Sequence, residues 1–267
     1  MAERTKRSGR RIIYRLAVLV CLAVFLISGG RLLRYRMQRD ATQQEVSQLR
    51  SLVKEPPVQT APVSGDTENV PAEADRFAAL TARNGDFTGW ITVPGTAIDY
   101  PVMQAGEGKN GEYYLRRNFE GEYDINGLPF LDQRCKIDPA SDLLIIYGHN
   151  MKSGIMFHDL TKYEKESFWK EHRKIQLETL AGTRTYEVFC AMLYDASSDE
   201  TAFKPHKQVT FADEAQFDSY LAGLSAAALY DTGITPTYGE KLLMLATCER
   251  SSIQNGRMVV VARQVEK

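Results

Sequence analysis

The residues best suited to covalent chemistry lie near the C-terminal end of the chain, where Cys248 precedes Arg257 by nine positions. Cys248 ends an apolar run that begins at residue 242, and Arg257 opens a second run rich in valine. A thiolate is a strong nucleophile, and a guanidinium beside it can hold an anion that develops during the reaction. These residue types at two predicted strand ends indicate a nucleophilic cysteine with an arginine partner.

A cysteine nucleophile usually works with a group that gives and takes protons, and histidine is the commonest choice. Of the four histidines, His149 follows the apolar run at residues 143–147 across one glycine, which lets the chain turn at a strand end. We interpret His172, in a polar helix, and His206, in a turn with Lys and Pro, as surface residues. His158 is ambiguous. Position alone therefore makes His149 the first candidate without deciding the matter.

Two other arginines compete with Arg257. Arg263 shares a face with Arg257 in an extended strand but lies about 20 Å away, a strand length. Arg250 fits a solvated loop better than the end of a strand. The sequence has no ligand spacing such as C-x-x-C or H-x-x-x-H and no glycine-rich phosphate loop, so we expect no metal and no cofactor.

The elements that must position these residues are mostly strands. Alternating or continuous apolar runs, separated by turn residues, predict six or more strands and hence an antiparallel barrel or sandwich. The runs lie at residues 90–93, 98–102, 143–147, 175–179, 186–194, 241–248 and 257–265.

Two helices are predicted between the strands. The spacing of Thr161 and Glu164 fits a capping box that opens a helix over residues 161–172. A second helix over residues 212–224 has two acids in its first turn, which complement the helix dipole. Its apolar stripe should face the core. The stripe consists of Phe217, Tyr220, Leu221 and Leu224.

Charge separates an N-terminal segment from the rest of the chain. Residues 1–39 carry ten Lys/Arg and one acid, a net charge of +9, and the remaining 23 Lys/Arg and 33 Asp/Glu give −10. Because the body is acidic, we expect it not to bind nucleic acid.

The basic segment surrounds an apolar stretch at residues 12–30 that only Arg15 interrupts. Nineteen residues approach the ~20 that cross a bilayer as a helix, and Arg15 can snorkel to the headgroups. No small-x-small cleavage site follows, and four arginines come soon after, which favours a retained signal anchor over a cleaved signal peptide. Basic residues are slightly more numerous before the stretch, so we expect residues 1–11 to be a cytoplasmic tail and the body to be extracytoplasmic.

After the anchor, residues 31–74 are predicted to form an extracytoplasmic helix and then a flexible tether rich in Pro, Ser and Gly. Residues 75–267 should form the folded domain, which is long enough for one core. With Cys21 in the anchor, the body has three cysteines, so at least one thiol is free. So few cysteines indicate a domain that folds on its apolar core.

Three segments, in this order, resemble sortases, the cysteine transpeptidases that join surface proteins to Gram-positive cell walls. Tyr-Gly-His-Asn at residues 147–150 resembles their histidine segment; Leu-Ala-Thr-Cys-Glu at residues 245–249 and Arg-Met-Val-Val-Val-Ala-Arg at residues 257–263 resemble their cysteine–arginine signature. The insertion that begins at Met156, and residues 114–119, are similar to class B members. The resemblance covers residues 75–267 and implies a sortase-type eight-stranded closed β-barrel, mainly β with added helices, behind a transmembrane helix.

The resemblance also implies a mechanism. Cys248 would attack a Thr carbonyl in a sorting signal near the C-terminus of a secreted protein and form a thioester, which a peptidoglycan-precursor amine then resolves outside the cell membrane. His149 would exchange protons with the leaving and incoming amines, and Arg257 would hold the substrate backbone and the oxyanion. Substrate-binding positions carried over from the family are Leu115, Tyr147, Thr247 and Glu249.

The chain departs from the family pattern at Met244, where Thr is usual, and at Ala246, where class B members often carry Ser. The missing hydroxyl leaves the sorting-signal preference open, and wall anchoring and pilus polymerisation also stay open. A secreted cysteine hydrolase of the papain type is an alternative, but there the cysteine precedes the histidine. A membrane-tethered, non-enzymatic β-domain with a buried Cys248 is another, which thiol accessibility would distinguish.

Overall fold

The computed structural model describes residues 2–54, 73–196, 202–248 and 256–266. They fall into two compact units, Met1–Gln43 and Gln44–Lys267. The first unit lies in helix α1 (Ala2–Lys54). Within α1, Arg15–Val53 contains an 18-residue window with a mean hydropathy of 2.4, none of it buried, so the helix is long and apolar enough to cross a membrane.

The second unit is built on strands whose bounds are β1 (Phe87–Thr92), β2 (Asp99–Met103), β3 (Phe130–Leu131), β4 (Leu143–Tyr147), β5 (Lys174–Thr179), β6 (Gly182–Asp195), β7 (Leu242–Cys248) and β8 (Gly256–Glu266). They close into a barrel in the order β1-β2-β3-β4-β7-β8-β6-β5. The eight-stranded closed barrel expected from the resemblance is therefore confirmed.

The strand pattern suggested an antiparallel barrel or sandwich, but the barrel contains parallel pairs as well. Strands β2 and β3 pair in parallel, and so do β4 and β7. Parallel neighbours need a long crossover connection, and the alternation within a single strand does not encode which strand it will join.

Strands β4 and β7 form an apolar part of the barrel wall. Residues 143–146 and 242–245 are all apolar and buried. Such continuous runs are typical of strands covered on both faces. The 3-10 helix Phe157–Glu164 packs outside the barrel against β7 and β8. The sequence prediction of a doubly buried strand at residues 143–147 is confirmed.

The helix predicted for residues 161–172 is wrong in its type and bounds. The structure has the 3-10 helix Phe157–Glu164 followed by the short α3 (Glu166–Glu171). The Thr161 hydroxyl donates to the carbonyl of His158, so it does not cap a helix. The fully buried residues of the 3-10 helix recur every third position, which matches its three residues per turn. They are Phe157, Leu160 and Tyr163.

The second predicted helix is confirmed as α4 (Glu214–Ala227). A further helix, α2 (Glu73–Arg83), precedes β1. The Asp213 side chain accepts a hydrogen bond from the Gln216 amide at 2.8 Å and so caps α4. The expected stripe faces the core except at Leu221, which is half-exposed.

The end of α1 belongs to the same compact unit as the barrel. Val46, Leu49 and Val53 are buried. Arg50 pairs with Glu178 of β5 at 2.9 Å. The flexible tether predicted after this helix lies largely at residues 55–72, outside the described residues.

Candidate active site

The parallel pairing of β4 with β7 aligns the two strand ends that carry the histidine and the cysteine. Tyr147 lies opposite Ala246 in the register. The Gly148 amide donates to the Ala246 carbonyl at 3.1 Å, and the Thr247 hydroxyl donates to the Gly148 carbonyl at 2.7 Å. These two bonds carry the alignment one residue beyond β4.

His149 and Cys248 each follow this last registered pair, Tyr147 with Ala246, by two residues. On the other side of β7, Cys248 is the register partner of Arg257 in the antiparallel β7–β8 pair. Directly opposed residues in such a pair have Cα atoms about 5 Å apart. The three residues expected to carry the chemistry therefore meet at one end of three adjacent strands.

Gly148 has a packing role in addition to the turn that the sequence suggested. A Cβ atom at this position would lie 2.7 Å from two carbons of the Phe157 ring. Phe157 is fully buried, and its amide donates to the His149 carbonyl at 2.9 Å. Only glycine lets the chain pass over this ring, so Gly148 fixes where His149 leaves β4.

The two ends of β8 distinguish the competing arginines. Arg263 pairs with Glu187 at 3.2 Å and Glu240 at 3.5 Å, at the end of the strand away from Cys248. Arg257 is half-buried and faces the groove described below. Arg250 lies outside the described residues.

A groove of about 550 Å³ runs across this end of the barrel. Among the residues expected to bind substrate or to react, those that line it are Leu115, Tyr147, His149, Thr247 and Arg257. Glu249 lies outside the described residues. The groove is thus bounded by β4, β7, β8 and the 3-10 helix Tyr113–Arg116, which supplies Leu115.

His149 makes a direct contact with this 3-10 helix. Its Nε2 atom lies 2.7 Å from the Leu115 carbonyl oxygen. The ring is part-buried, between the groove and the backbone of the helix. Leu115 was expected to contribute to the substrate pocket, but its backbone also contacts the histidine.

One wall of the groove was missed by sequence reasoning. Arg134 donates to both carboxylate oxygens of Asp132, at 2.9 and 2.7 Å, and to the His206 carbonyl at 2.7 Å. The Tyr147 hydroxyl donates to the same carboxylate at 3.1 Å. Burial opposes ionisation of Asp132, but the hydrogen bonds from Arg134 outweigh it and lower the pKa of this carboxyl. Asp132 is therefore an ionised anchor for the wall.

His206 is not the solvated surface residue that its sequence context suggested. It lines the groove, and its Nδ1 lies 3.0 Å from the Tyr194 hydroxyl. Burial and the positive charge of Arg134 lower the pKa of His206, which favours the neutral ring. Nothing in the Lys-Pro-His-Lys context indicates this position, because the long β6–β7 connection must fold back onto the groove.

Cys135 and Cys190 are buried free thiols. Burial raises their pKa values to about 11 and about 12. Both therefore stay protonated at neutral pH and are unsuited to nucleophilic attack.

The chain is similar in sequence to proteins of one known family. The sequence matches the family model described as the sortase domain over residues 91–265. It is 30% identical to sortase B of Listeria monocytogenes over 250 residues, 93% of this chain and 95% of that protein. It is 27% identical to sortase B of Staphylococcus aureus over 192 residues, 72% of this chain and 75% of that protein.

Solved structures give the same result at the level of the fold. Sortase B from Bacillus anthracis superposes with a TM-score of 0.69 at 30% identity, covering 86% of this chain and 99% of that chain. Sortase B from Clostridium perfringens superposes with a TM-score of 0.63 at 29% identity, covering 71% and 99%.

Proposed function

Since the chain belongs to the sortase family, as a class B cysteine transpeptidase, we propose that Cys248, His149 and Arg257 are its reacting residues. The observation that supports this assignment best is the register of the strands at this end of the barrel: Cys248 is the partner of Arg257, and His149 follows the end of β4, the parallel neighbour of β7, beside a groove that His149 and Arg257 line. A nucleophile, a proton carrier and an anion holder are the groups that acyl transfer needs.

In the first half of the reaction, the Cys248 thiolate attacks the carbonyl carbon of a Thr in the sorting signal. The carbonyl oxygen becomes an oxyanion that the Arg257 guanidinium stabilises. The C–N bond then breaks as the His149 imidazolium gives its proton to the departing amine. The products are a thioester on Cys248 and a free peptide amine.

In the second half, an amine of a peptidoglycan precursor attacks the thioester carbonyl. His149 takes the proton that this amine loses, a C–N bond forms, and the C–S bond breaks to return the thiolate. The proton lost in one half of the reaction is regained in the other, so the transfer needs no cofactor.

We assign substrate contacts to Leu115, Tyr147, Thr247 and Glu249. The first three line the groove. Thr247 already donates its hydroxyl hydrogen to the Gly148 carbonyl, so towards substrate it can act only as an acceptor or through its methyl group. Ala246 adds no donor, so this section of the groove selects by shape.

The reaction takes place in the cell envelope, where sortases act. We assign the apolar part of α1 as a single-pass anchor, with residues 1–11 cytoplasmic and the barrel outside. This location would bring together secreted proteins that carry sorting signals and the amine of the wall precursor.

The test uses the full chain in detergent, a panel of sorting peptides and candidate amines, with products identified by mass. Wild type should form a thioester and an amide product, and Cys248→Ala should form neither. Cys135→Ala is the matched control, because it removes a buried thiol and should keep full activity. Undiminished cleavage by Cys248→Ala would contradict the assignment.

The same panel separates the alternatives. Release of free acid with every amine would indicate a cysteine hydrolase. Transfer to the lysine side chain of a second sorting-signal protein, in preference to wall amines, would indicate a pilus polymerase.

A further inference from the structure

We propose that the backbone carbonyl of Leu115 selects the tautomer of His149, and that Gly127 is a positioning residue that holds this carbonyl in place. The inference rests on the acid–base role proposed for His149. It concerns which ring nitrogen carries the exchangeable proton.

A carbonyl oxygen can only accept a hydrogen bond. The 2.7 Å contact with the Leu115 oxygen therefore requires a hydrogen on Nε2 of His149. A neutral imidazole has one N–H, so its lone pair must then lie on Nδ1. It follows that Nδ1 takes the proton from the incoming amine and returns it to the leaving amine, while Nε2 keeps its hydrogen throughout the cycle.

The carbonyl can have this effect only if it cannot turn away, and the structure fixes it from two sides. The first is the buried side chain of Tyr114. Its hydroxyl donates to Asp86 at 2.7 Å and accepts from the Asn84 amide at 2.9 Å. The Tyr114 carbonyl accepts from the Leu128 amide at 3.0 Å. These bonds hold the single turn that contains Leu115.

The second side is Gly127, which is buried and has a φ of +59°. A Cβ atom there would lie 2.3 Å from the Leu115 oxygen, 2.6 Å from its carbonyl carbon and 2.7 Å from the Tyr114 oxygen. Reaching an ordinary contact of 3.4 Å requires the Leu115 oxygen to move by about 1 Å. The clashing atoms are backbone, so no flexible side chain can absorb the change.

The first experiment measures the tautomer directly in the wild-type full chain in detergent micelles, labelled with ¹⁵N-histidine. Long-range ¹H–¹⁵N correlations at a pH where the ring is neutral show which nitrogen bears the hydrogen, and His149→Asn identifies the His149 signals. We expect the Nε2–H form. A predominant Nδ1–H form would overturn the proposal, and the tautomer itself is measured in the wild type.

The second experiment compares Gly127→Ala with Gly108→Ala. Gly108 is also in the left-handed region, with a φ of +80°, but a Cβ atom there meets nothing within 4 Å. Both variants therefore carry a similar backbone strain, and only Gly127→Ala displaces the carbonyl.

Displacement of a reacting group by about 1 Å can cost about 100-fold in rate. We expect kcat for peptide cleavage to fall by about 100-fold in Gly127→Ala, with a mixture of His149 tautomers. Gly108→Ala should keep the wild-type kcat and the Nε2–H form. Wild-type kcat and a single Nε2–H tautomer in a folded Gly127→Ala would refute the positioning role.

Failure of this inference can be distinguished from failure of the proposed function. An active wild type with an Nδ1–H ring would refute only the tautomer assignment. An Nε2–H ring in a wild type that forms no thioester would refute the proposed function and leave the carbonyl's effect on the ring intact.

Discussion

Replacement of Arg257 by alanine is the most direct test of how the site stabilises charge. Arg257 faces the groove at the end of β8 next to β7, with its backbone directly across from that of Cys248. An oxyanion formed at the thioester carbon would therefore develop within reach of the guanidinium. Its Nη1 atom donates a hydrogen bond to the Gly256 carbonyl at 3.2 Å.

The expected magnitude follows from this position. Removing one oxyanion donor typically costs about 100- to 1000-fold, or about 3–4 kcal/mol of transition-state stabilisation. A unit charge pair 4 Å apart near a protein surface gives about 4 kcal/mol, the same range. We expect kcat/KM for peptide cleavage to fall by at least about 100-fold in Arg257→Ala. Arg257→Lys should lie in between, because it keeps the charge but loses the planar fork.

The matched control is Arg263→Ala on the same strand. It removes ion pairs with Glu187 and Glu240, which are partly exposed, so it should cost no more than about 1 kcal/mol of folding stability. It should leave the rate unchanged. The assay measures thioester formation by mass and peptide cleavage by fluorescence, with thermal unfolding of each variant as a check on the fold.

Two results would refute this reasoning. One is an Arg257→Ala variant that is folded and within about threefold of the wild-type rate. The other is a large loss in Arg250→Ala with little loss in Arg257→Ala, which would show that the wrong arginine had been chosen.

Three further predictions test the surroundings of the site. Asp132→Asn should destabilise the fold at neutral pH. Because the folded-state pKa of Asp132 is lowered, the difference in stability between variant and wild type should shrink once the pH falls below the unfolded pKa of about 3.9, and it should vanish only below the folded pKa; a difference that does not depend on pH would contradict this. Gly148→Ala should destabilise the fold by about 1–3 kcal/mol and slow cleavage, because the added carbon meets the Phe157 ring at 2.7 Å; equal melting temperatures would contradict this. The thiol of Cys190, with its pKa raised to about 12, should resist iodoacetamide at pH 8 while Cys248 is labelled, as mass mapping would show; rapid labelling at Cys190 would contradict the burial argument.

The strands that carry the site could be predicted from the sequence because their patterns are local. The continuous apolar run at residues 143–147 indicated a strand buried on both faces, the run at residues 241–248 indicated a further strand, and both are strands of the barrel wall. The start of α4 was predicted only in part: Asp213 was placed in the first turn of the helix, whereas it precedes the helix as its N-cap. The 3-10 helix could not be read in this way, since its Thr161 and Glu164 also satisfy a capping-box pattern and only packing against the barrel selects the tighter turn.

The groove wall depends on contacts that no local pattern contains. Arg134 donates a hydrogen bond to the backbone carbonyl of His206, which lies 72 positions away in the chain. His206 reaches the groove only because the β6–β7 connection folds back across the barrel, and its Lys-rich context resembles a solvated turn. The role of Leu115 was harder still to foresee, because its carbonyl, common to every residue, contacts the histidine.

The approach of His149 to Cys248 shows why the resemblance carried more information than the residue pattern alone. The two residues are 99 positions apart, and they lie at the same end of the barrel because β4 and β7 are parallel neighbours, separated by a crossover that contains β5, β6, α3 and α4. Parallel order is a property of the whole barrel, so position alone made His149 the first candidate but left the choice between it and His158 undecided. The register favours His149: it follows Tyr147 by two residues, as Cys248 follows Ala246, the register partner of Tyr147. His158 instead lies in the 3-10 helix, with its Nδ1 2.8 Å from the Asn150 side chain. Replacing His158 should therefore preserve thioester formation, while replacing His149 should abolish it.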